Sequence, residues 1–397
     1  MINALKNTSV QTFLVVFFVF LFGTSMPLDF ARVFYTLSLA LKDLLLFILP
    51  FAVCVFIAST LNNFEKRGWL LVVALVFFEI ISNSCASFAA YGLSFWGASL
   101  YEAETFAMST SPLMPFEVEG FNLSALRPSF WRVEYGTAFG VILGLCMPYM
   151  QSTTLEKTLS ISAVLVKNIF IKGFAKIIPL FVLGFFVNLV KTGDFSPLLL
   201  QSGKAISIMI MGVTGYVIIL YLIVGWFSIK RTAKAIQNVL PAGLIAFSSM
   251  SSVAAMPITI QATEKNLKNP SFASMVIPAT TNIQQVGDCF IQVFLCCMIL
   301  SVFGQNIPNL NTFVLFLSVF VMARFTTAAV IGGAIFIMLP LYQTYLGFNE
   351  EMIAMLLMFN MILDPIVTSS NVMANSALCV LFERFWEKIS LIKSGNR

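Results

Sequence analysis

The 397-residue sequence contains no histidine. That removes the usual zinc ligand and the usual general base near neutral pH. Charge is also scarce. Asp, Glu, Lys and Arg make up 10% of the chain, against roughly 25% in ordinary globular proteins. The shortfall runs the whole length, so there is no room for a soluble domain carried on a single anchor. Metal-ligand spacing is missing too. Cys54, Cys85, Cys146, Cys289, Cys296, Cys297 and Cys379 all lie in apolar runs and read as small packing residues. No phosphate loop and no paired carboxylates at catalytic spacing occur, which argues against an enzyme and against a cofactor. The net charge of +5 calls for no nucleic-acid partner and fits basic cytoplasmic loops.

What is present is apolar sequence. Hydrophobic residues form 59% of the chain and mean hydropathy is +0.92. The chain reads as an all-α, polytopic integral membrane protein with about eight transmembrane helices and two re-entrant hairpins. Spans are expected at Thr12–Leu28, read as a helix rather than a cleaved signal, then Leu39–Leu61, Gly68–Trp96 and Gly136–Met150. Others follow at Ile161–Val190, Ile206–Ile229, Ser271–Phe303 and Met352–Phe385. Tyr101–Arg132, with three prolines and several acids, reads as an exterior loop or a broken helix. An N-terminus in the cytoplasm places about 16 of the 23 basic residues on that side.

Four small or polar patches interrupt the second half. Ala242–Pro257 is too short and serine-rich to cross alone, and suggests a hairpin with its tip at Ser248–Ala255. Phe313–Leu346 is broken at Thr326, Thr327, Gly332 and Gly333, which suggests a second hairpin. The spans after each hairpin are polar in their middles, at Val276–Asp288 and Asn360–Asn375. Unpaired backbone in hydrocarbon costs several kcal/mol per group, so such patches must line an enclosed cavity. Two similar hairpins, each before an interrupted span, are the pattern of an inverted-repeat transporter with its site at membrane depth.

In this order of parts the chain resembles the glutamate/dicarboxylate and neutral amino acid–cation symporters, that is, the dicarboxylate/amino acid:cation symporter family. The likeness is strongest over Ser228–Phe385. It rests on the serine-rich hairpin ending in Pro257, on Pro278, on the glycine-rich second tip, and on D-x-x-x-T-x-x-N as Asp364, Thr368 and Asn371. The resemblance implies a homotrimeric secondary transporter working as an elevator. Residues 1–67 would be scaffold helices 1 and 2, and 68–96 helix 3 of the transport domain. Residues 97–229 would hold scaffold helices 4 and 5 and transport helix 6, and 230–397 the transport core. A compact chain of this kind suits a bacterial inner membrane, in contact with its lipid.

The resemblance also implies roles. Asp364 would bind the substrate ammonium, Asn371 the α-carboxylate with Thr368 beside it. Ser251, Ser252 and Gly333 would come from the hairpin tips. The departures matter as much. Where the family has N-M-D-G-T, this chain has Gln284, Gln285, Val286, Gly287 and Asp288. Two family aspartates are Asn360 and Asn375. The arginine that acidic-substrate members carry is Val367. An acidic side chain would lack its counter-charge, so a neutral amino acid is expected. Arg324, close to the second tip, could substitute for that arginine, but an exterior interfacial position is expected. For the coupling ion, sodium or a proton, the candidates are Glu79, Asn282, Gln284, Asp288, Thr326, Asn371 and Asn375. Asp288 also counts among the substrate candidates. An uncoupled neutral amino acid exchanger and a binding-only membrane sensor stay open as alternatives.

Overall fold

The computed structural model describes residues 8–63, 69–101, 113–116, 128, 131, 133–150, 152–169, 173, 175–192, 195–327 and 334–395. Fourteen helices and no strand occur among them. In order they are α1 (Thr8–Phe22), α2 (Leu28–Asn63), α3 (Trp69–Tyr101), α4 (Val133–Met150), α5 (Thr153–Asn168), α6 (Ala175–Thr192) and α7 (Phe195–Val224). Then come α8 (Ile229–Ser249), α9 (Ser252–Glu264), α10 (Ser271–Thr280), α11 (Val286–Val302), α12 (Leu310–Thr327), α13 (Ala334–Leu346) and α14 (Glu350–Gly395). Among the described residues, three stretches are long and apolar enough to cross a membrane: Val73–Trp96, Ser202–Val224 and Glu350–Ile389.

The chain forms two compact units. The first comprises Met1–Arg67, Glu102–Ser202 and Ile299–Ile362. Within it α2 packs against α4, α5 and α6, and α12 packs against α13. Apolar burial separates helices poorly from lipid, so close approach depends on small residues. Gly184 of α6 meets the Phe34 carbonyl and the Ser38 hydroxyl of α2, and Gly136 of α4 meets the carbonyl of Pro50. The Ser38 hydroxyl donates to Leu180 O at 3.3 Å. In α12, Phe316, Phe320 and Arg324 follow at four-residue spacing, and the Arg324 guanidinium lies 5.0 Å from the Phe320 ring centre. Phe316 and Phe320 also pack against Tyr342 of α13. Arg324 is therefore fully buried. This corrects the expected interfacial position: the aromatic contact of the hairpin arms turns its face of α12 inward.

The second unit comprises Gly68–Tyr101, Gly203–Met298 and Leu363–Arg397. Leu75 of α3, Phe272, Ala273, Val276 and Ile277 of α10, and Cys379 and Phe382 of α14 form its apolar core. The Glu383 carboxylate is buried and accepts from the backbone N–H groups of Lys268 (3.1 Å) and Asn269 (2.8 Å). That clamp fixes the start of α10 to α14. The first hairpin is α8 packed on α9. Met250, left-handed at φ 51°, ends α8, and Ser251 caps α9.

Several expected boundaries move. The first run is cut after Phe22, and α2 begins at Leu28. Ile161–Val190 falls on two helices, α5 ending at Asn168 and α6 beginning at Ala175. The basic run Lys230–Lys234 lies in the first turns of α8, and the hairpin arms reach from Ile229 to Glu264, beyond the expected Ala242–Pro257. The physical reason is amphipathicity. Thr232, Ala235, Val239, Ala242, Gly243 and Ala246 are buried at helical spacing, a stripe that polar neighbours hide from a hydropathy average. Most of Tyr101–Arg132 lies outside the described residues; 113–116 are not helical.

The α2–α6 crossing yields a test. Gly184→Val forces a side chain onto backbone and should cost about 1–3 kcal/mol, as overpacking does. The expected outcome is a lower melting temperature and early aggregation on size exclusion in detergent. An unchanged melt would contradict the close crossing.

Candidate functional site

Helix α14 carries Asp364, Thr368, Asn371 and Asn375 at offsets of 4, 7 and 11 residues, which places them along one face. The Thr368 hydroxyl donates to Asp364 Oδ1 at 3.4 Å. Pro365, inside the helix, has no N–H to donate, so the carbonyl of Met361 loses its helical partner. Asp364 is half-buried; Thr368, Asn371 and Asn375 are buried.

Opposite this face the chain unwinds. Helix α10 ends at Thr280, two residues after Pro278, and α11 begins at Val286. The five residues between must find partners for their backbone groups elsewhere. Asn83 of α3 supplies two. Its Nδ2 donates to Ile283 O (3.0 Å) and its Oδ1 accepts from Gln285 N (3.1 Å). Asn371 takes over at the start of α11. Its Oδ1 accepts from Gly287 N (2.8 Å) and Asp288 N (3.3 Å), and its Nδ2 donates to Asp288 Oδ2 (2.7 Å). Gln292 Nε2 donates to Asp288 Oδ1 at 3.4 Å. The first turn of a helix favours a negative charge, which helps to hold Asp288. Gly287 allows the approach: a Cβ there would lie 2.9 Å from Ser370 Cβ and 3.0 Å from Asn371 Oδ1.

The hairpin tip reaches the same region. The Ser251 hydroxyl accepts from Ala254 N at 3.2 Å as the cap of α9, which leaves its own proton to give. Ser252 lines a narrow crevice together with Thr259, Thr281, Asn371, Val372 and Asn375. Asn375 Oδ1 accepts from the Thr280 hydroxyl at 2.7 Å, and Thr263 and Ser376 are bonded at 2.8 Å. Val367 is buried, and its carbonyl faces Gly287.

A second polar group lies around the Asn83 bracket. Glu79, one turn before Asn83, is 1% exposed, and its Oε2 has no hydrogen-bond partner among the described residues. The hydroxyl of Ser82 and both amide atoms of Gln284, itself 1% exposed, are likewise unpartnered. Asn282 is half-exposed in the unwound stretch. Thr326 lies in the last turn of α12, with its side chain outside the described residues, and Gly333 is outside them altogether.

The structure thus gathers Ser252, Asn371 and Asn375 at one crevice, and ties Asn371 to Asp288. Sequence reasoning passed over Asn83 and Thr280. The signal for Asn83 was available: Ser82-Asn83-Ser84 is a polar triplet inside an otherwise apolar span. Thr280 carried none, because a helical threonine more often bonds its own preceding turn, as Thr280 also does to Val276 O.

The family model described as Sodium:dicarboxylate symporter family matches residues 9–385. No curated protein matches the chain.

Two substitutions test this geometry. Asn83→Leu leaves a buried carbonyl and a buried N–H unpaired, at roughly 1–3 kcal/mol each, and should lower the melting temperature well beyond Ser84→Ala. Gly287→Ala should push α11 off α14, with faster hydrogen exchange at residues 281–288. Wild-type exchange there in both variants would refute the bracket.

Proposed function

This chain belongs to the sodium:dicarboxylate symporter family, and from that premise we propose that it carries a neutral amino acid across its membrane together with a cation. Membership makes it a multi-pass membrane transporter of a small molecule, not an enzyme. The finer reading rests on one observation. The face of α14 that presents Asp364, Thr368 and Asn371 has the buried Val367 at the position where the resemblance would put an arginine. Asp364 suits an ammonium group. The remaining N–H of Asn371 and the hydroxyls of Ser251 and Ser252 suit an α-carboxylate. A side-chain carboxylate would lack the cation that the resemblance puts at position 367, at a cost of several kcal/mol.

The coupling cation is assigned to Glu79, Ser82 and Gln284. A buried carboxylate oxygen without a hydrogen-bond partner among the described residues is expensive until something positive arrives. Sodium ligated by these hard oxygens, or a proton on Glu79, would meet that need. Asn282, Asp288, Thr326, Asn371 and Asn375 are the further cation candidates, and Gly333 at the second tip stays a substrate candidate. The same reading has the chain work as a homotrimer by an elevator motion of the hairpin-bearing part, in a bacterial inner membrane.

The test is uptake into liposomes under a sodium gradient, a proton gradient, or neither, with labelled alanine, serine, leucine and aspartate. Cation-driven uptake of a neutral amino acid is expected, and preferential uptake of aspartate overturns the substrate assignment. Asp364→Asn removes a charged hydrogen bond of about 1.5–3 kcal/mol and should cut apparent affinity roughly 10- to 100-fold. Glu79→Gln should abolish ion dependence while exchange of internal for external amino acid persists. Wild-type uptake that runs only by exchange would instead support an uncoupled carrier.

A further inference from the structure

The turn between α7 and α8 puts its glycine one residue away from where the backbone calls for it. Residues 225–228 read Gly-Trp-Phe-Ser. Trp226 N donates to Ile223 O at 3.2 Å and Phe227 N to Leu222 O at 2.7 Å, the bonds of a Schellman helix stop. The left-handed residue of that stop is usually glycine. Here Trp226 has φ 53° and Phe227 has φ 57°, a conformation that crowds the Cβ of any L-residue and is unfavourable for bulky ones. Gly225 cannot relieve it, being needed for another purpose: a Cβ at 225 would strike the Thr232 hydroxyl and sit 2.8 Å from Thr232 N at the start of α8.

The result is an outward display of apolar surface. Trp226 is 67% exposed, Phe227 72% and Ile229 82%. They follow directly on the apolar span Ser202–Val224, the depth at which aromatic rings favour the boundary between membrane and water. Lys230, Arg231 and Lys234 come next, all exposed, with no acidic residue between 225 and 240. From behind, Arg384 of α14 donates to Ile223 O and Val224 O, the last carbonyls of α7, and lies 5.0 Å from the Trp226 ring centre. The ring is braced as well as exposed. Exposed Lys388 lies one turn further along α14.

We propose that this turn is a binding site for anionic phospholipid. Trp226, Phe227 and Ile229 enter the boundary between headgroups and acyl chains, and Lys230, Arg231 and Lys234 take the lipid phosphates. Charge decides the class of lipid: three adjacent cations without a local acid gain little from a zwitterionic surface and more from each anionic headgroup. The site is independent of the transported substrate and of the coupling ion.

The full-length protein is reconstituted in phosphatidylcholine bilayers, with or without phosphatidylglycerol, carrying brominated acyl chains on one lipid at a time. The chain has five tryptophans, so Trp226 is read as the difference between wild type and Trp226→Phe. Quenching at least twofold stronger from brominated phosphatidylglycerol than from brominated phosphatidylcholine, at equal mole fraction, is expected. Lys230→Gln/Arg231→Gln/Lys234→Gln should remove the preference but leave quenching by either lipid. Trp226→Gly/Phe227→Gly relieves the left-handed residues, so it should melt no lower than wild type in detergent while losing the stabilisation that phosphatidylglycerol gives. Equal quenching by both lipids overturns the proposal, as does a preference that survives the triple variant. Trp226 emission quenched by aqueous acrylamide but by neither lipid, or shielded from all three as a second protein copy would shield it, overturns it as well.

Discussion

A helix that unwinds inside a membrane protein must have its backbone groups taken up by side chains, because no water is at hand to do it. Two asparagines meet that demand in the second unit. Asn83 holds the carbonyl of Ile283 and the N–H of Gln285, and Asn371 holds the N–H groups of Gly287 and Asp288. An amide is the right group, since it carries a donor and an acceptor on one rigid plane. Much else follows from this bracket. It fixes the start of α11, which places Asp288, and it requires glycine at 287 so that α11 and α14 can close on each other.

The bracket also explains how acidic groups are tolerated in so apolar a chain. Asp288 is held by two side-chain amides and the start of a helix, and Asp364 by a hydroxyl one turn away. Glu383 is fully used by two backbone N–H groups. Glu79 differs from all three, since one of its oxygens is buried with no hydrogen-bond donor among the described residues. A structural ion pair with lysine, the plainest use of an acid at that depth, is not formed there among the described residues.

Much of this was legible in advance. Composition alone established the membrane class, because a charge deficit over the whole length has no other common cause. The broken spans and their polar middles were visible as interruptions in apolar runs, and the structure puts the breaks at Met250–Ser251 and 281–285. Asp364, Thr368 and Asn371 could be read as a face because a helix repeats every 3.6 residues. The likeness to a symporter family followed from the same stretches and is matched over residues 9–385.

What the sequence could not supply was the identity of partners far apart in the chain. Asn83 and Gln285 are separated by 202 residues, and Asp288 and Asn371 by 83. Nothing in local periodicity says which amide meets which backbone. Arg324 shows the same limit, since a cation in an apolar run is assumed to face water until an aromatic ring is found beneath it. By itself the sequence determined the class of the chain, its interrupted helices and the candidate face on α14, because hydrophobicity and helical repeat are local properties. Only the tertiary structure decided which polar groups are satisfied and which are left waiting, because satisfaction belongs to pairs of atoms that folding alone brings together.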